Sequence, residues 1–175
     1  MEPKEKSAFS KSAFITSKII SDLDVFDKKV AQWKFKRHKI VFTNGCFDLL
    51  HKGHIYYLNK AAELGDRFVL GLNSDHSVKQ LGKPSSRPIK DQDSRALILA
   101  SMHYVDAVIV FNQETPLELI KRIKPDVLVK GGDWKIEEIV GNQEVKMNGG
   151  QVVTIPFLEG YSSTSIEQKI LKENG

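Results

Sequence analysis

The stretch TNGCFDLLHKGH, residues 43–54, decides the fold. Ahead of it stands Lys39-Ile40-Val41-Phe42, a short apolar, β-branched run that predicts a buried strand. Behind it Ile55, Leu58 and Ala62 recur at helical spacing, and Gly65 closes the pattern. The stretch is therefore the turn between a first strand and a first helix. In an open α/β sheet such a turn lies at the carboxyl ends of the strands, where ligands bind. A helix N-terminus there offers free N–H groups and a partial positive charge to an anion. His51 and His54, three residues apart, share one face of the first helical turn. Gly53 between them puts no side chain in the way of a phosphate. Two imidazoles, bare backbone and a helix dipole predict a phosphate site. Two incidental surface histidines are the bland alternative.

Outward from this turn, strands alternate with helices. Arg67 to Leu72 reads as a second strand, and Asn73-Ser74-Asp75 ends it and caps a short helix. Residues 80–88 carry breakers and no apolar period, a loop bearing Lys83 and Arg87 with Lys79 at its shoulder. Asp91 opens a third helix with Ile98, Met102 and Val105 as its stripe. Arg95 falls on that stripe one turn earlier, so it emerges at a cleft, is paired, or snorkels. Ala107 to Phe111 is a strand, and Thr115-Pro116-Leu117-Glu118 predicts a capping box. Asp126 to Lys130 is another strand, running into Gly131-Gly132-Asp133-Trp134. Two glycines there allow a ligand close to the backbone, or a plain tight turn. Residues 136–148 read as irregular helix, Gln151 to Pro156 as a last strand, and Thr164 with Glu167 as a second capping box. The alternation predicts an α/β fold with a parallel sheet. A GxGxxG fingerprint is absent, which leaves the phosphate role to the histidine turn.

Residues 1–16 are rich in Lys and Ser and predict a flexible tail. Residues 17–38 predict one amphipathic helix, capped by Ser21, with Ile19, Leu23, Phe26, Val30 and Trp33 as its stripe. That stripe either docks on the domain's own core or forms the seam of a homodimer. With 41% hydrophobic and 27% charged residues the chain is an ordinary globular sequence, long enough for one full core. A net charge of +4 suits a small polyanionic substrate but is too mild to argue for nucleic acid. The single cysteine, Cys46, excludes an internal disulfide and fits a reducing cytoplasm. No apolar run reaches transmembrane length and no signal-peptide core is present, so neither membrane nor secretion is expected.

His51-Lys52-Gly53-His54 resembles the His-x-Gly-His signature of the cytidylyltransferase-like nucleotidyltransferases, whose fold is a Rossmann-like, doubly wound parallel sheet. Within that superfamily TNGCFDLLHKGH, the NSD of residues 73–75, the SRP of 86–88, the VKGGDW of 129–134 and the GYSSTS of 160–165 resemble the adenylyltransferases of ADP-heptose synthesis. The resemblance covers nearly everything from Lys18 onward and implies a nucleotidyltransferase domain over residues 39–175. It implies transfer of AMP from ATP to D-glycero-D-manno-heptose 1-phosphate, release of pyrophosphate, and a product that supplies heptose to lipopolysaccharide. Rivals are another nucleotidyltransferase using CTP or a different phosphate acceptor, and a non-catalytic nucleotide-binding protein on this fold. The sugar kinase found beside this domain in bifunctional relatives finds no room in 175 residues and is expected on another protein.

The implied nucleophile, a phosphate oxygen, is already ionised at neutral pH, so no general base is needed. Catalysis becomes positioning and charge stabilisation. The resemblance gives His51 and His54 the α- and β-phosphates, with Thr43 and Asn44 pinning phosphates or ribose. Gly45, Phe47, Gly53 and Lys130 join them around the nucleotide, Gly131, Gly132 and Asp133 flank the nucleoside, and Ser162, Ser163 and Thr164 close on the β- and γ-phosphates. Lys83, Arg87 and Arg95 are the cations for the sugar phosphate. Asp48 is expected to hold the turn through backbone N–H groups, and Cys46 to be a small buried residue. Mg2+ is expected to bridge phosphate oxygens with few protein ligands, so no metal-binding residue is assigned. Relatives begin the last loop with an arginine where this chain has Phe157-Leu158-Glu159-Gly160, so a different cation must meet the triphosphate.

Overall fold

A six-stranded, all-parallel sheet organises the described residues, 10–82 and 87–173 of a computed structural model. In chain order the elements are Lys11–Thr16 (α1), Ile19–Ile20 (β1), Leu23–Phe35 (α2), Ile40–Gly45 (β2), Lys52–Ala62 (α3) and Arg67–Asn73 (β3). Asp75–Gln80 (α4), Gln92–Ala100 (α5), Ala107–Phe111 (β4), Leu117–Ile123 (α6) and Val127–Gly131 (β5) follow. A 3₁₀ turn at Ile136–Glu138, Asn142–Met147 (α7), Gln151–Ile155 (β6) and Ser163–Glu173 (α8) complete the chain. The strand order is β1-β4-β3-β2-β5-β6. From β2 the chain steps outward to β3 and β4, then returns to lay β5 against the free side of β2. That reversal opens a crevice outside the carboxyl ends of β2 and β5, where a doubly wound sheet binds its ligand.

Strand alternation builds a core on each face. Ile40 and Phe42 of β2 join Phe26, Val30 and Trp33 of α2 and Ile120 and Ile123 of α6 on one side. Val41 joins Leu58 and Ala61 of α3 and Leu99 of α5 on the other. Helix α2 thus docks on its own domain, and Arg122 of α6 clamps it through two 2.7 Å bonds to Asp27. No helix among the described residues is long and apolar enough to cross a membrane.

Several local expectations shift. Residues 11–16, placed in the flexible tail, form α1; residues 1–9 lie outside the described residues. The helix expected over 17–38 spans 23–35, because Ile19 and Ile20 are drawn into the sheet opposite Val108 and Ile109. Its cap is Asp22 rather than Ser21. In α3 the buried face is Tyr57, Leu58 and Ala61, with Ile55 exposed; in α5 it is Arg95, Ala96, Leu99 and Ala100, with Ile98 exposed. Thr115 caps nothing: α6 starts behind Pro116 without a side-chain cap. At α8 the reciprocal bonds join Ser162 and Ser165, and Glu167 is spent on Arg87 instead. The irregular stretch 136–148 resolves into the 3₁₀ turn and α7.

Candidate active site at the switch point

The carboxyl end of β2 carries the first parts of the site. Thr43 is fully buried, and its hydroxyl is hydrogen-bonded to the Tyr57 phenol, which donates to the Val129 carbonyl at 3.3 Å. The hydroxyl read as a ligand contact therefore ties α3 to the sheet. Burial lifts the Tyr57 phenol above its ordinary value, so it stays protonated. Asn44 keeps its side chain at the strand end, with Oδ1 3.5 Å from Lys130 Nζ. Phe47 is buried at φ +49°, a strained conformation for a bulky residue. A Cβ on Gly45 would come within 3.0 Å of the Phe47 ring. The ring stands edge-on to His54 at 6.0 Å, so Phe47 supports the histidine rather than meeting a ligand.

His51 is the N-cap of α3, extended at φ −140°, and its side chain caps no N–H group. The first amides of the helix are left without a side-chain acceptor, as at an anion-binding N-terminus. The His51 and His54 rings lie 4.1 Å apart, centroid to centroid. Gly53 is required here: a Cβ would stand 3.0 Å from the His51 ring and 3.3 Å from Tyr161. His51 Nδ1 is buried with no hydrogen-bond partner among the described residues. Burial also pushes the His51 pKa below the ordinary histidine value, so the free protein holds it neutral at pH 7. An anion beside it reverses that shift, because a nearby negative charge favours the imidazolium.

Facing the pair is the segment between β6 and α8. His51, His54, Tyr57, Phe157, Tyr161, Ser162 and Ser163 border a cavity of about 240 Å³. Ser163 Oγ donates to the Leu49 carbonyl at 3.2 Å and ties this segment to the histidine turn. Thr164 is exposed and does not border the cavity. The space over Gly131 and Gly132 is filled by Phe157: a Cβ on Gly132, at φ +105°, would meet that ring at 2.7 Å. Asp133 is exposed. Sequence reasoning passed over Tyr57, Phe157, Tyr161 and Lys52, whose ammonium stands 5.4 Å over the Tyr161 ring. The only signal for Lys52 was its place as the variable residue of the histidine motif.

The three cations read as sugar-phosphate contacts fare differently. Lys83 lies outside the described residues. Arg95 is fully buried, and its guanidinium donates to the carbonyls of Lys90, Cys46 and Asn73 and to Asp75 at 2.6–3.0 Å. It fastens strand ends to loops and has no donor aimed at solvent. Arg87 is buried between Asp48 and Glu167, at 2.7 Å from each. Asp48 also accepts from the Ile89 and Lys90 amides, so it holds the 87–90 segment rather than its own turn. Burial opposes ionisation of Asp48, but the Lys90 amide, Arg87 and the Ile89 amide together hold its pKa below the usual carboxylate range. Asp48, Arg87 and Glu167 thus lock the histidine turn to α8. Cys46 is half-buried and borders a second cavity, beyond Asn44, rather than lying in the core.

Residues 42–169 match the protein family described as cytidylyltransferase-like, and they contain the crevice, both histidines and the serine segment. The chain belongs to the cytidylyltransferase-like family. It is a nucleotidyltransferase on a six-stranded parallel sheet. The family chain is 48% identical over 156 residues to a bifunctional protein HldE of Geobacter sulfurreducens, covering 89% of this chain and 32% of that protein. It is 52% identical over 157 residues to the HldE of Helicobacter hepaticus, covering 90% and 31%. The chain therefore spans about a third of the length of these relatives. Among solved structures, a lipopolysaccharide core biosynthesis protein from Thermoplasma volcanium superposes with a TM-score of 0.58 at 29% identity, over 71% of this chain and 99% of that one. A pantoate-beta-alanine ligase from Francisella tularensis reaches 0.60 at 18% identity, over 88% and 77%, a likeness of fold alone.

Proposed function

We propose that this nucleotidyltransferase joins AMP from ATP to D-glycero-D-manno-heptose 1-phosphate, giving ADP-heptose and pyrophosphate. The observation that carries the reading is the histidine pair, 4.1 Å apart at an uncapped helix N-terminus and facing Ser163 across a small cavity. Such a site binds and stabilises phosphate charge and supplies no nucleophile of its own. An oxygen of the acceptor phosphate forms the new bond to the α-phosphorus. The bond from that phosphorus to the bridging oxygen breaks, and its electron pair leaves on pyrophosphate. No proton changes hands. His51 and His54 hold the phosphates as charge accumulates on them, and Ser162 and Ser163 border the leaving side. The choice of substrates is supported by the shared motifs, by HldE relatives at up to 52% identity, and by the lipopolysaccharide function named for the Thermoplasma protein.

Among the described residues no group of acidic, histidine or cysteine side chains is arranged to hold a metal ion, and Asp48 is spent on Arg87 and two amides. Mg2+ would enter on the triphosphate, where it would offset phosphate charge. The reaction belongs in the cytoplasm, where ATP and sugar phosphates are found.

The test is pyrophosphate release from ATP or CTP across a panel of phosphorylated acceptors. ATP with the heptose 1-phosphate should be the best pair. Faster turnover with CTP, or with a non-sugar acceptor, would reassign the enzyme within its family.

A further inference from the structure

Beyond Asn44, on the side of β2 away from the serine segment, lies the second cavity, of about 460 Å³. It is bordered by Asn44, Cys46, Leu81, Glu114, Lys130 and Trp134, among others, and its size suits a small-molecule ligand. The cation in it is unusual. Lys130 comes off the end of β5, and among the described residues no carboxylate lies within ion-pair distance of its ammonium. Its neighbours are Asn44 Oδ1 at 3.5 Å and the Trp134 ring, centred 5.9 Å away. Partial burial pushes its pKa down, against an opposing pull from Cys46. Lys130 is half-buried at the cavity wall, and an ammonium partly withdrawn from water with no carboxylate beside it favours an anion there. Trp134 is held by its indole N–H, which donates to the Gly131 carbonyl at 3.1 Å, and half of it stays exposed. A fixed, exposed aromatic face beside a cation suits a sugar that carries a phosphate. The carboxylates of Glu114 and Glu138 border the same cavity and offer acceptors for sugar hydroxyls.

We infer that this cavity is the acceptor site, in which Lys130 pairs with the phosphate of the incoming sugar phosphate and Trp134 meets its ring. The inference rests on the in-line transfer proposed above. Attacking and leaving oxygens lie on opposite sides of the phosphorus. With pyrophosphate leaving on the serine side of the histidines, the acceptor enters over the ends of β2 and β5, where Lys130 stands. Lys130 thus becomes an acceptor-binding residue, in place of Arg87 and Arg95, whose guanidinium groups are buried and already paired with carboxylates.

The experiment is calorimetric titration of the full chain and of Lys130→Met and Lys130→Arg. The probes are D-glycero-D-manno-heptose 1-phosphate, mannose 1-phosphate, glycerol 3-phosphate and, separately, ATP with Mg2+. Lys130→Met should bind the sugar phosphates about 10- to 100-fold more weakly, as expected for losing a hydrogen-bonded charge. Its affinity for ATP should stay within about twofold, and its melting temperature should hold, because no ion pair is broken. Lys130→Arg should recover part of the loss. A variant that loses ATP as strongly as sugar phosphate would overturn the inference and give Lys130 to the nucleotide. So would unchanged sugar-phosphate affinity, or a parent protein that binds none of the acceptor probes. Sugar phosphates that bind through Lys130 without yielding a nucleotide sugar would leave the site standing and refute the proposed reaction. Normal turnover with Lys130→Met at an unchanged acceptor KM would do the reverse.

Discussion

Two corners of the same sheet edge take polar groups out of water and treat them in opposite ways. At the corner between β3 and α5, Arg95 is fully buried and its donors reach three carbonyls and the Asp75 carboxylate. At the corner between β2 and α3, His51 Nδ1 is buried and meets no partner among the described residues. A buried polar group that is satisfied from within holds the fold together; one left open is costly unless something else supplies the bond. The first corner is a brace and the second a binding site, although both carry side chains that a sequence reader would send to a phosphate.

The sharpest test of that contrast is Arg95→Met. Removing the fully buried guanidinium leaves three carbonyls without their donor while Asp75 keeps access to water, and at roughly 1–3 kcal/mol per unsatisfied buried acceptor it should lower the unfolding free energy by about 3–5 kcal/mol. Urea titration measures it. A loss under about 1 kcal/mol would erase the distinction, since that is the scale of a surface pair.

His51→Ala and His54→Ala should show the opposite pattern. Losing one donor to a charge that grows in the transition state costs about 2.7–4 kcal/mol, roughly a hundred- to a thousand-fold in kcat. KM for ATP should move less, and circular dichroism should report an intact fold. The double variant should lose less than the product of the two factors, because both rings act on one phosphate group. A folded double variant with near-native turnover would return the pair to an incidental surface feature.

Glu167→Gln probes the lock between the two sides of the site. The Arg87–Glu167 bond is partly exposed, so its loss should cost about 1 kcal/mol, or about 2–4 °C in Tm. Asp48 still holds Arg87 in that variant. A larger fall would show that α8 depends on this one contact.

The smallest effect concerns pH. A histidine kept neutral by burial binds fewer protons folded than unfolded, between its lowered pKa and the ordinary value of 6.5. Its contribution to stability is therefore full above that value and is lost as pH falls below it. His51→Gln should flatten the fall in Tm between about pH 8 and about pH 5 relative to the parent. An equal slope in both proteins would remove His51 from the account.

The sequence by itself determined the sheet, the strand–turn–helix that holds the histidines, and the start of α8 at a hydroxyl, though it assigned that cap to Thr164 and not to Ser162 and Ser165. Each of these rests on local chemistry: apolar periodicity, a glycine with no room for a Cβ, a hydroxyl at a helix start. It also pointed Asp48 at backbone amides, but at those of its own turn, whereas the fold brings it the Ile89 and Lys90 amides and Arg87. Only the tertiary structure decided which polar groups are already satisfied. Arg95 and Asp75 are 20 residues apart, Arg87 and Glu167 are 80 apart, and Lys130 and Asn44 are 86 apart. No pattern along the chain announces such pairs, because hydrogen-bond partners are chosen by the crossing of strands and loops. The same limit explains Ile19 and Ile20, which fit a helical stripe until the β4 edge offers them a parallel partner. It explains Thr43 as well, whose hydroxyl turns inward to Tyr57 because β2 lies in the middle of the sheet with α3 packed on its face.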